Sequence, residues 1–308
     1  MSETGLTFNR RAVRLHRDRA AAASVDCNFL FAETAERLLD RLDDINRDFP
    51  IALDLGCHGG QLASRHAGRG GIETLVQCDL SPVMAARAQA YATTADEEAQ
   101  AQTYAVAADE EALPFARASL DLILSNLTLH WINDLPGALI QARRALKPDG
   151  LFLASMLGGV TLHELRAALC QAETEVEGGL SPRVSPFADV PDLGQLLQRA
   201  GFALPVVDTE EITVSYGEPL KLIADLRAMG ETNSVTLRRT TLSRRTTLMR
   251  AVEIYRQRFA DADGRVPATF QVLTMTAWAP APNQPKPLKP GAATTRLADA
   301  LSGRPDQK

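Results

Sequence analysis

Three carboxylates carry the first chemical suggestion in this chain. Asp54 lies in Ile51-Ala52-Leu53-Asp54-Leu55-Gly56-Cys57-His58-Gly59-Gly60, an apolar strand that ends in an acid and runs into a small-residue turn. Small residues let a backbone approach a ligand closely and tolerate positive φ. Such a turn at the carboxyl end of a first strand is where a nucleotide-like cofactor rests. Asp79 closes a second apolar run, Leu75-Val76-Gln77-Cys78, about 20 residues on, the offset expected of a ribose-binding acid. Asp109 follows a third. Asp79 can accept hydrogen bonds from two ribose hydroxyls, Asp109 from an adenine amino group, and Asp54 can hold an amino-acid end, directly or through water. Bonds of this kind to a charged acceptor are the strong ones. A lone Asp in such a loop is more often a helix N-cap, but three in register favour a ligand site. His58 stands where a third small residue is expected. Its Cβ and ring crowd the ligand unless φ stays negative and the ring turns away.

The elements that must position these acids follow from hydrophobic periodicity. Residues 8–48 read as helical, with Leu30, Phe31, Ala35, Leu38, Leu39 and Leu42 on one face, stopped by Pro50. Strands are expected at 51–55, 73–78, 103–107, 120–125 and 151–156. Between them lie a short helix at 60–67, a helix started by Ser81 as N-cap and Pro82 at the first helical position, and a helix at 134–146. Lys147-Pro148-Asp149-Gly150 reads as a stop signal. Strands alternating with helices imply right-handed crossovers and a parallel sheet covered on both faces. The second half reads differently, with helices at 161–177, 192–200, 218–229 and 243–259 and strands at 204–215 and 266–279. The loop 178–191 is long enough for a lid. The Pro- and Ala-rich tail reads as disordered, with a brief helix open at 296–301.

Composition narrows the class. The chain has 308 residues, 45% apolar and 23% charged, with a net charge of −5. These values suit a soluble globular protein and argue against a general nucleic-acid binder. Cys27, Cys57, Cys78 and Cys170 are widely spaced, as expected of reduced thiols and not of a disulfide framework or zinc site. No apolar run reaches the roughly 20 residues of a membrane span, and no signal-peptide core is visible; peripheral membrane association stays open. Arg10, Arg11, Arg14, Arg17 and Arg19 suit either an organellar transit segment or, the favoured reading, a basic cap helix. A bacterial cytoplasmic protein is expected, with the mitochondrial matrix side as the alternative.

As a set, Leu53 to Gly60, Asp79-Leu80-Ser81-Pro82-Val83-Met84, Asp109-Glu110-Glu111-Ala112-Leu113-Pro114-Phe115 and Leu146-Lys147-Pro148-Asp149-Gly150 resemble the class I S-adenosylmethionine-dependent methyltransferases. The resemblance implies an α/β fold: a doubly wound, seven-stranded, mostly parallel sheet whose final antiparallel strand is 266–279. An N-terminal helical cap (1–49) precedes the cofactor-binding core (50–157). A helical lid or substrate region with the last strands (158–279) and the tail (280–308) complete the expected organisation. The cofactor implied is S-adenosylmethionine, held by Asp54, Gly56, Gly60, Asp79, Leu80, Met84, Asp109, Glu110 and Ser125.

A narrower resemblance runs along most of the chain. Phe8-Asn9-Arg10, Arg17-Asp18-Arg19-Ala20-Ala21, Leu127 to Pro136, Gly158 to Arg166, Ala172-Glu173-Thr174-Glu175, Gly178 to Phe187 and Met229-Gly230-Glu231-Thr232-Asn233 are similar to the respiratory complex I assembly factor family that includes the mitochondrial arginine hydroxylase. That likeness implies a protein partner, an arginine of a complex I subunit, modified during assembly. The malonyl-carrier-protein methyltransferases of biotin synthesis are the next family, and imply methyl transfer to a small or carrier-bound carboxylate. A non-catalytic assembly chaperone that keeps the fold is the third reading.

Residues for chemistry are less defined. Methyl transfer to a carboxylate needs mainly positioning, whereas an amine, guanidine or hydroxyl needs a base nearby. Ser125, Asn126, His130 and Trp131 follow the fourth strand, over the expected methyl position. His130 is a candidate base or an orienting, packed His; Trp131 reads as a pocket wall rather than a platform for a cation. Glu164 is the other catalytic candidate, or half of a helix-surface pair with Arg166. The Glu173 to Glu177 run reads as a solvated face. A carboxylate from that run or Asp189 would be needed to hold a substrate arginine. Oxygen chemistry would normally require a metal or redox cofactor, and no His spacing selects a metal site, so hydroxylation rests on the resemblance alone.

Overall fold

The computed structural model describes residues 6–22, 25–94 and 101–285. Of the expected tail, residues 286–308 lie outside the described residues, and with them the brief helix at 296–301.

The core is one seven-stranded sheet in the order β3-β2-β1-β4-β5-β7-β6. Its strands are β1 (Ile51–Leu55), β2 (Thr74–Asp79), β3 (Gln102–Ala107), β4 (Leu120–Asn126), β5 (Leu146–Leu157), β6 (Ala203–Tyr216) and β7 (Val266–Trp278). Strands β1 to β5 pair in parallel, and β7 runs antiparallel between β5 and β6. The near-continuous apolar runs of β1 and β4 are those of strands covered on both faces. Leu53, Leu122, Ile123, Leu151 and Phe152 are wholly buried.

The helices are α1 (Arg10–Ala20), α2 (Phe29–Asp43), α3 (Pro82–Thr94), α4 (Leu135–Ala145), α5 (His163–Glu177), α6 (Val190–Ala200), α7 (Pro219–Ala228) and α8 (Arg245–Phe259). The apolar stripe of α2 (Ala35, Leu38, Leu39, Leu42) packs on one face of the sheet with Ala52, Leu75 and Leu124. The stripes of α4 and α6 cover the other face through Leu139, Ala142, Leu193 and Leu197. A third cluster joins α5, α7 and α8 to β7 through Leu165, Leu169, Leu222, Ile254 and Phe270. Ser81 caps α3 as its sequence suggests: its hydroxyl accepts from the Met84 N–H at 3.0 Å.

Four local expectations are corrected. The helix before β1 ends at Asp43, well short of Pro50, because Phe49 is drawn into the core and its N–H donates to the Gly70 carbonyl. Residues 60–67 form successive turns and no regular helix; Ala67 and Gly68 take positive φ there. The fifth strand, expected from 151, starts at Leu146 as soon as α4 ends at Ala145, so the Lys147-Pro148-Asp149-Gly150 stop ends the helix as expected but lies inside β5, where Asp149 takes φ 64° and the register shifts against β4. The first 48 residues also break into α1, a short 3-10 turn at Val25–Asn28, and α2.

Candidate functional site

The parallel strands bring Asp54, Asp79 and Asp109 to the carboxyl edge of β1, β2 and the turn after β3. Gly56 leaves β1 at φ 76°, and a Cβ there would meet the Thr128 hydroxyl at 2.1 Å. Gly60, at φ 84°, lies against Ala88 of α3, where a Cβ would stand 3.2 Å from the backbone. Both glycines therefore let the loop bend inside a closed shell.

Asp79 is fully buried and is held by three donors. The backbone N–H groups of Ser81 (2.7 Å) and His58 (3.1 Å) donate to it, as does Arg17 Nη1 (3.3 Å). Arg17 comes from α1, is 1% exposed, and also donates to Glu110 Oε1 at 2.7 Å. Burial penalises its charge, but Asp79 and Glu110 outweigh that and raise its pKa above the usual value. Glu110 is equally buried. Burial alone would raise its carboxyl, yet Arg17 and Arg10 hold it down at about 2. Arg10 donates to Asp109 Oδ1 at 2.6 Å and to Glu110. The basic N-terminal run is thus a cap helix, turned inward onto the acids that follow β2 and β3.

Asp54 is the opposite case. It is 1% exposed, and neither side-chain oxygen has a hydrogen-bond partner among the described residues. Burial, and then the Asp79 charge, push its carboxyl up to about 8. A buried carboxyl without donors is costly, and a site that brings a cation to it relieves that cost.

His58 departs from expectation. Its φ is 46°, in the left-handed region. The ring is buried against Phe31, centroids 4.3 Å apart, with Nε2 2.8 Å from the Thr128 hydroxyl and 3.3 Å from the Leu127 carbonyl. The carbonyl can only accept, so Nε2 carries the proton and Nδ1 is a bare acceptor, unpartnered and buried. Burial, then Arg17, lower its pKa to about 4, so the imidazole is neutral.

Beyond β4, His130 and Trp131 sit in a 3-10 turn and converge on Glu231, in the loop after α7. His130 Nε2 lies 3.0 Å from Glu231 Oε2, and Trp131 Nε1 donates to both Glu231 oxygens at 3.2 and 3.0 Å. The Leu157 N–H approaches His130 Nδ1 at 3.5 Å. With Nδ1 accepting that N–H, Nε2 is the ring nitrogen that donates to Glu231. Burial raises the Glu231 carboxyl, but His130, His58 and Trp131 bring it net below its ordinary value. Glu231 and Arg17 also sense each other's charge, which joins this group to the Asp79 cluster. The Trp131 ring packs edge-on to Phe8.

Other expected site residues take different places. The Ser125 hydroxyl donates to the Leu55 carbonyl at 2.7 Å, and Asn126 donates to the Phe31 carbonyl at 2.8 Å; both brace the strand ends. Leu80 packs with Phe8, Val13 and Trp131, and Met84 is buried at the start of α3. Glu164 is buried and accepts from the Thr269 hydroxyl and N–H. Its contacts are there and with His163, so the structure does not gather it with His130. The surface pair with Arg166 is also absent: Arg166 donates to the carbonyls of Thr161 and Ser185. The Glu173–Glu177 run is paired, not solvated: Glu173 with Arg183, Glu175 with Arg250, and Glu177 with Arg239. Through the Ser181 and Arg183 bonds to Glu173, and the 158–188 bridge, the 178–191 loop is fastened down.

Sequence reasoning missed two participants. Glu231 had no strand-end position to mark it. Arg17 was one basic residue among five, and only the packing of α1 separates it from the exposed Arg11 and Arg14.

Comparison with known proteins agrees with this geometry. A family model described as a methyltransferase domain matches residues 53–154. The mitochondrial arginine-hydroxylase NDUFAF5 of Danio rerio is 43% identical over 299 residues, 95% of this chain and 88% of that protein. A malonyl-[acyl-carrier protein] O-methyltransferase of Methylovorus sp. (strain MP688) is 34% identical, covering 91% and 92%. The YcgJ protein of Bacillus subtilis shares the fold with a TM-score of 0.55 at 14% identity, over 80% of this chain and 99% of that chain.

Proposed function

Because the chain belongs to the methyltransferase superfamily, in the family of the NDUFAF5 arginine-hydroxylases and the malonyl-carrier-protein O-methyltransferases, we propose that it binds S-adenosylmethionine and modifies an arginine of a respiratory complex I subunit during assembly. The observation that carries the cofactor reading is Asp54, a buried carboxyl without donors beside a pre-organised Asp79. The donor sets fit the cofactor. Asp54 and the Gly56–Gly60 turn would hold its amino-acid end, Asp79 its ribose, and Asp109, Glu110, Leu80 and Met84 the base. When bound, the cofactor supplies an electrophilic methyl group on a sulfonium. Ser125 acts indirectly, by fixing β4 against β1.

The chain's own residues would prepare the target. Glu231, charged and held by His130 and Trp131, offers the carboxylate that a guanidinium requires, in place of the acids expected from α5. His130 fixes Glu231 in place. Support for an arginine target comes from the length of the likeness to the hydroxylase, which runs through α5 to α8 as well as the core. Glu231→Gln preserves shape and the Trp131 and His130 contacts. It is expected to lower modification of the target arginine by roughly 100-fold, the scale of one lost bidentate charged contact, with little change in the melting temperature. Equal modification by the variant would remove Glu231 from this role.

Asp54 gives a separate prediction. The free protein holds it protonated at neutral pH, because its folded pKa is raised to about 8. A carboxyl raised in this way contributes a penalty to folding that grows as pH climbs from the ordinary carboxylate range through about 8. An ammonium group favours the ionised form, so S-adenosylmethionine binding at neutral pH should release close to one proton. Calorimetry in buffers of different ionisation enthalpy reads that release, and Asp54→Asn should abolish it.

The similarity to malonyl-carrier-protein O-methyltransferases favours a second reading, transfer to a carrier-bound carboxylate. It predicts labelled methyl transfer into an acyl-carrier extract and biotin auxotrophy on deletion. Prototrophic growth counts against its biotin version.

A further inference from the structure

Gly59 is a glycine that its own backbone does not require. Gly56 and Gly60 take positive φ, whereas Gly59 does not. An L side chain could stand there without backbone strain, so what its absence keeps open is space. A Cβ at Gly59 would lie 3.0 Å from Gln61 Nε2, 3.7 Å from Arg87 Nε and 3.8 Å from Asn28 Nδ2. The three nearest atoms are all donor nitrogens, brought over one Cα by the turn itself, by α3 and by the residue that precedes α2.

These groups line a cavity of about 240 Å³, with Arg65 on its wall and no acid among the described residues that surround it. The two guanidinium groups are held in place without being neutralised. Arg87 Nη1 donates to the carbonyls of Ala20 and Ala21 at 3.3 and 2.7 Å. Arg65 Nη1 donates to the Gln61 carbonyl and the Ser64 hydroxyl at 3.3 and 3.1 Å. Gln61 is 7% exposed, and no described residue bonds to its side-chain amide. Asn28 makes no side-chain cap on α2, whose first turn holds no acid, so the positive end of that helix adds to the field in the cavity.

Two arginines and two amides without an acid select an anion. Amide and guanidinium edges suit the paired oxygens of a carboxylate, and Phe29 and Ala32 give the cavity an apolar wall for its carbon stem. We propose that Gln61, Arg87 and Asn28 form a carboxylate cradle over Gly59 that holds the α-carboxylate of S-adenosylmethionine, with Arg65 supplying charge from the wall. On the cofactor reading above, on which this cradle depends, the zwitterionic end of the cofactor is divided between two places. Its ammonium goes to Asp54 and its carboxylate to Gly59, farther along the same turn. The chain is then selective for a cofactor that still carries its whole amino acid.

Calorimetry on the full chain tests this with S-adenosylmethionine and decarboxylated S-adenosylmethionine, which differ only in that carboxylate. The wild-type protein should bind the decarboxylated form about tenfold or more weakly, the scale of one hydrogen bond to a charged group. Gly59→Asp places the protein's own carboxylate in the cradle and should bring the two affinities together, chiefly by weakening S-adenosylmethionine. Gln61→Leu should narrow the gap in the same direction. Methylthioadenosine lacks the entire amino-acid end, and its unchanged affinity for each variant shows that the rest of the site is intact; if Gly59→Asp loses it, Gln61→Leu decides. Equal wild-type affinity for the two cofactor forms would overturn the cradle and leave the cofactor reading standing. A preference that survives in an intact variant would overturn it as well. Failure of all three compounds to bind the wild-type protein would overturn the cofactor reading, and the cradle with it.

Discussion

Asp79→Ala is expected to reduce S-adenosylmethionine binding by about 100-fold, to the point where calorimetry registers little heat. Asp79 is the acceptor at the end of β2, and two backbone N–H groups orient it before any ligand arrives. A ribose offers two hydroxyls to that carboxylate. Hydrogen bonds to a charged group contribute about 1.5–3 kcal/mol each, and about 2.7 kcal/mol in all is already 100-fold. The variant should still fold, because Arg17 keeps its shorter bond to Glu110 at 2.7 Å. Unaltered affinity in a folded Asp79→Ala protein would place the cofactor elsewhere. Absence of binding by the wild-type protein would instead favour the reading of the chain as a non-catalytic assembly chaperone.

The second large effect is on the fold itself. Arg17→Met should destabilise the protein by about 3–5 kcal/mol, the usual result of removing one partner from a buried ion cluster. Asp79 and Glu110 would then face each other, both fully buried, without the guanidinium between them. A fall in melting temperature on the order of 10 °C follows from the size of the chain. The pH dependence distinguishes this mechanism from simple loss of packing. Glu110 is held down at about 2 in the folded protein, chiefly by Arg17 and then Arg10 acting against its burial. A carboxyl depressed on folding contributes stability that is complete above the ordinary carboxylate range and is lost as pH falls toward about 2. The gap between wild type and variant should therefore be widest near neutrality and shrink under acid. A gap that stays constant across that range would point to packing of the Arg17 stem alone.

Arg17 also links the cap to the core. It joins α1 to the acid at the end of β2 and to the turn after β3, so the ribose contact proposed for Asp79 and the seating of α1 concern the same carboxylate. Strand-end acids, turns and apolar runs made the core legible. The apolar runs marked β1, β2 and β4 within a residue or two, because a strand buried on both faces has few alternatives. Ser81 and Pro82 marked the start of α3 by local chemistry alone. What the sequence could not show depends on contacts between distant segments. Glu231 is a surface-like acid until the chain after α7 folds back onto His130 and Trp131, 101 and 100 residues away. The Glu173–Glu177 run has the composition of a solvated face, and only the return of Arg183 and Arg239 pairs it. His58 was legible as a departure, but its outcome was not. The loop keeps its left-handed bend because Phe31 and Thr128 receive the ring.

Mass spectrometry of the peripheral-arm subunits of complex I, from cells with and without this protein, tests the central claim most directly. The expected result is one arginine-containing peptide that loses its modification in the deletion strain, together with impaired assembly; the mass lost identifies the added group as oxygen or methyl. Identical peptide masses and normal assembly in both strains would contradict it.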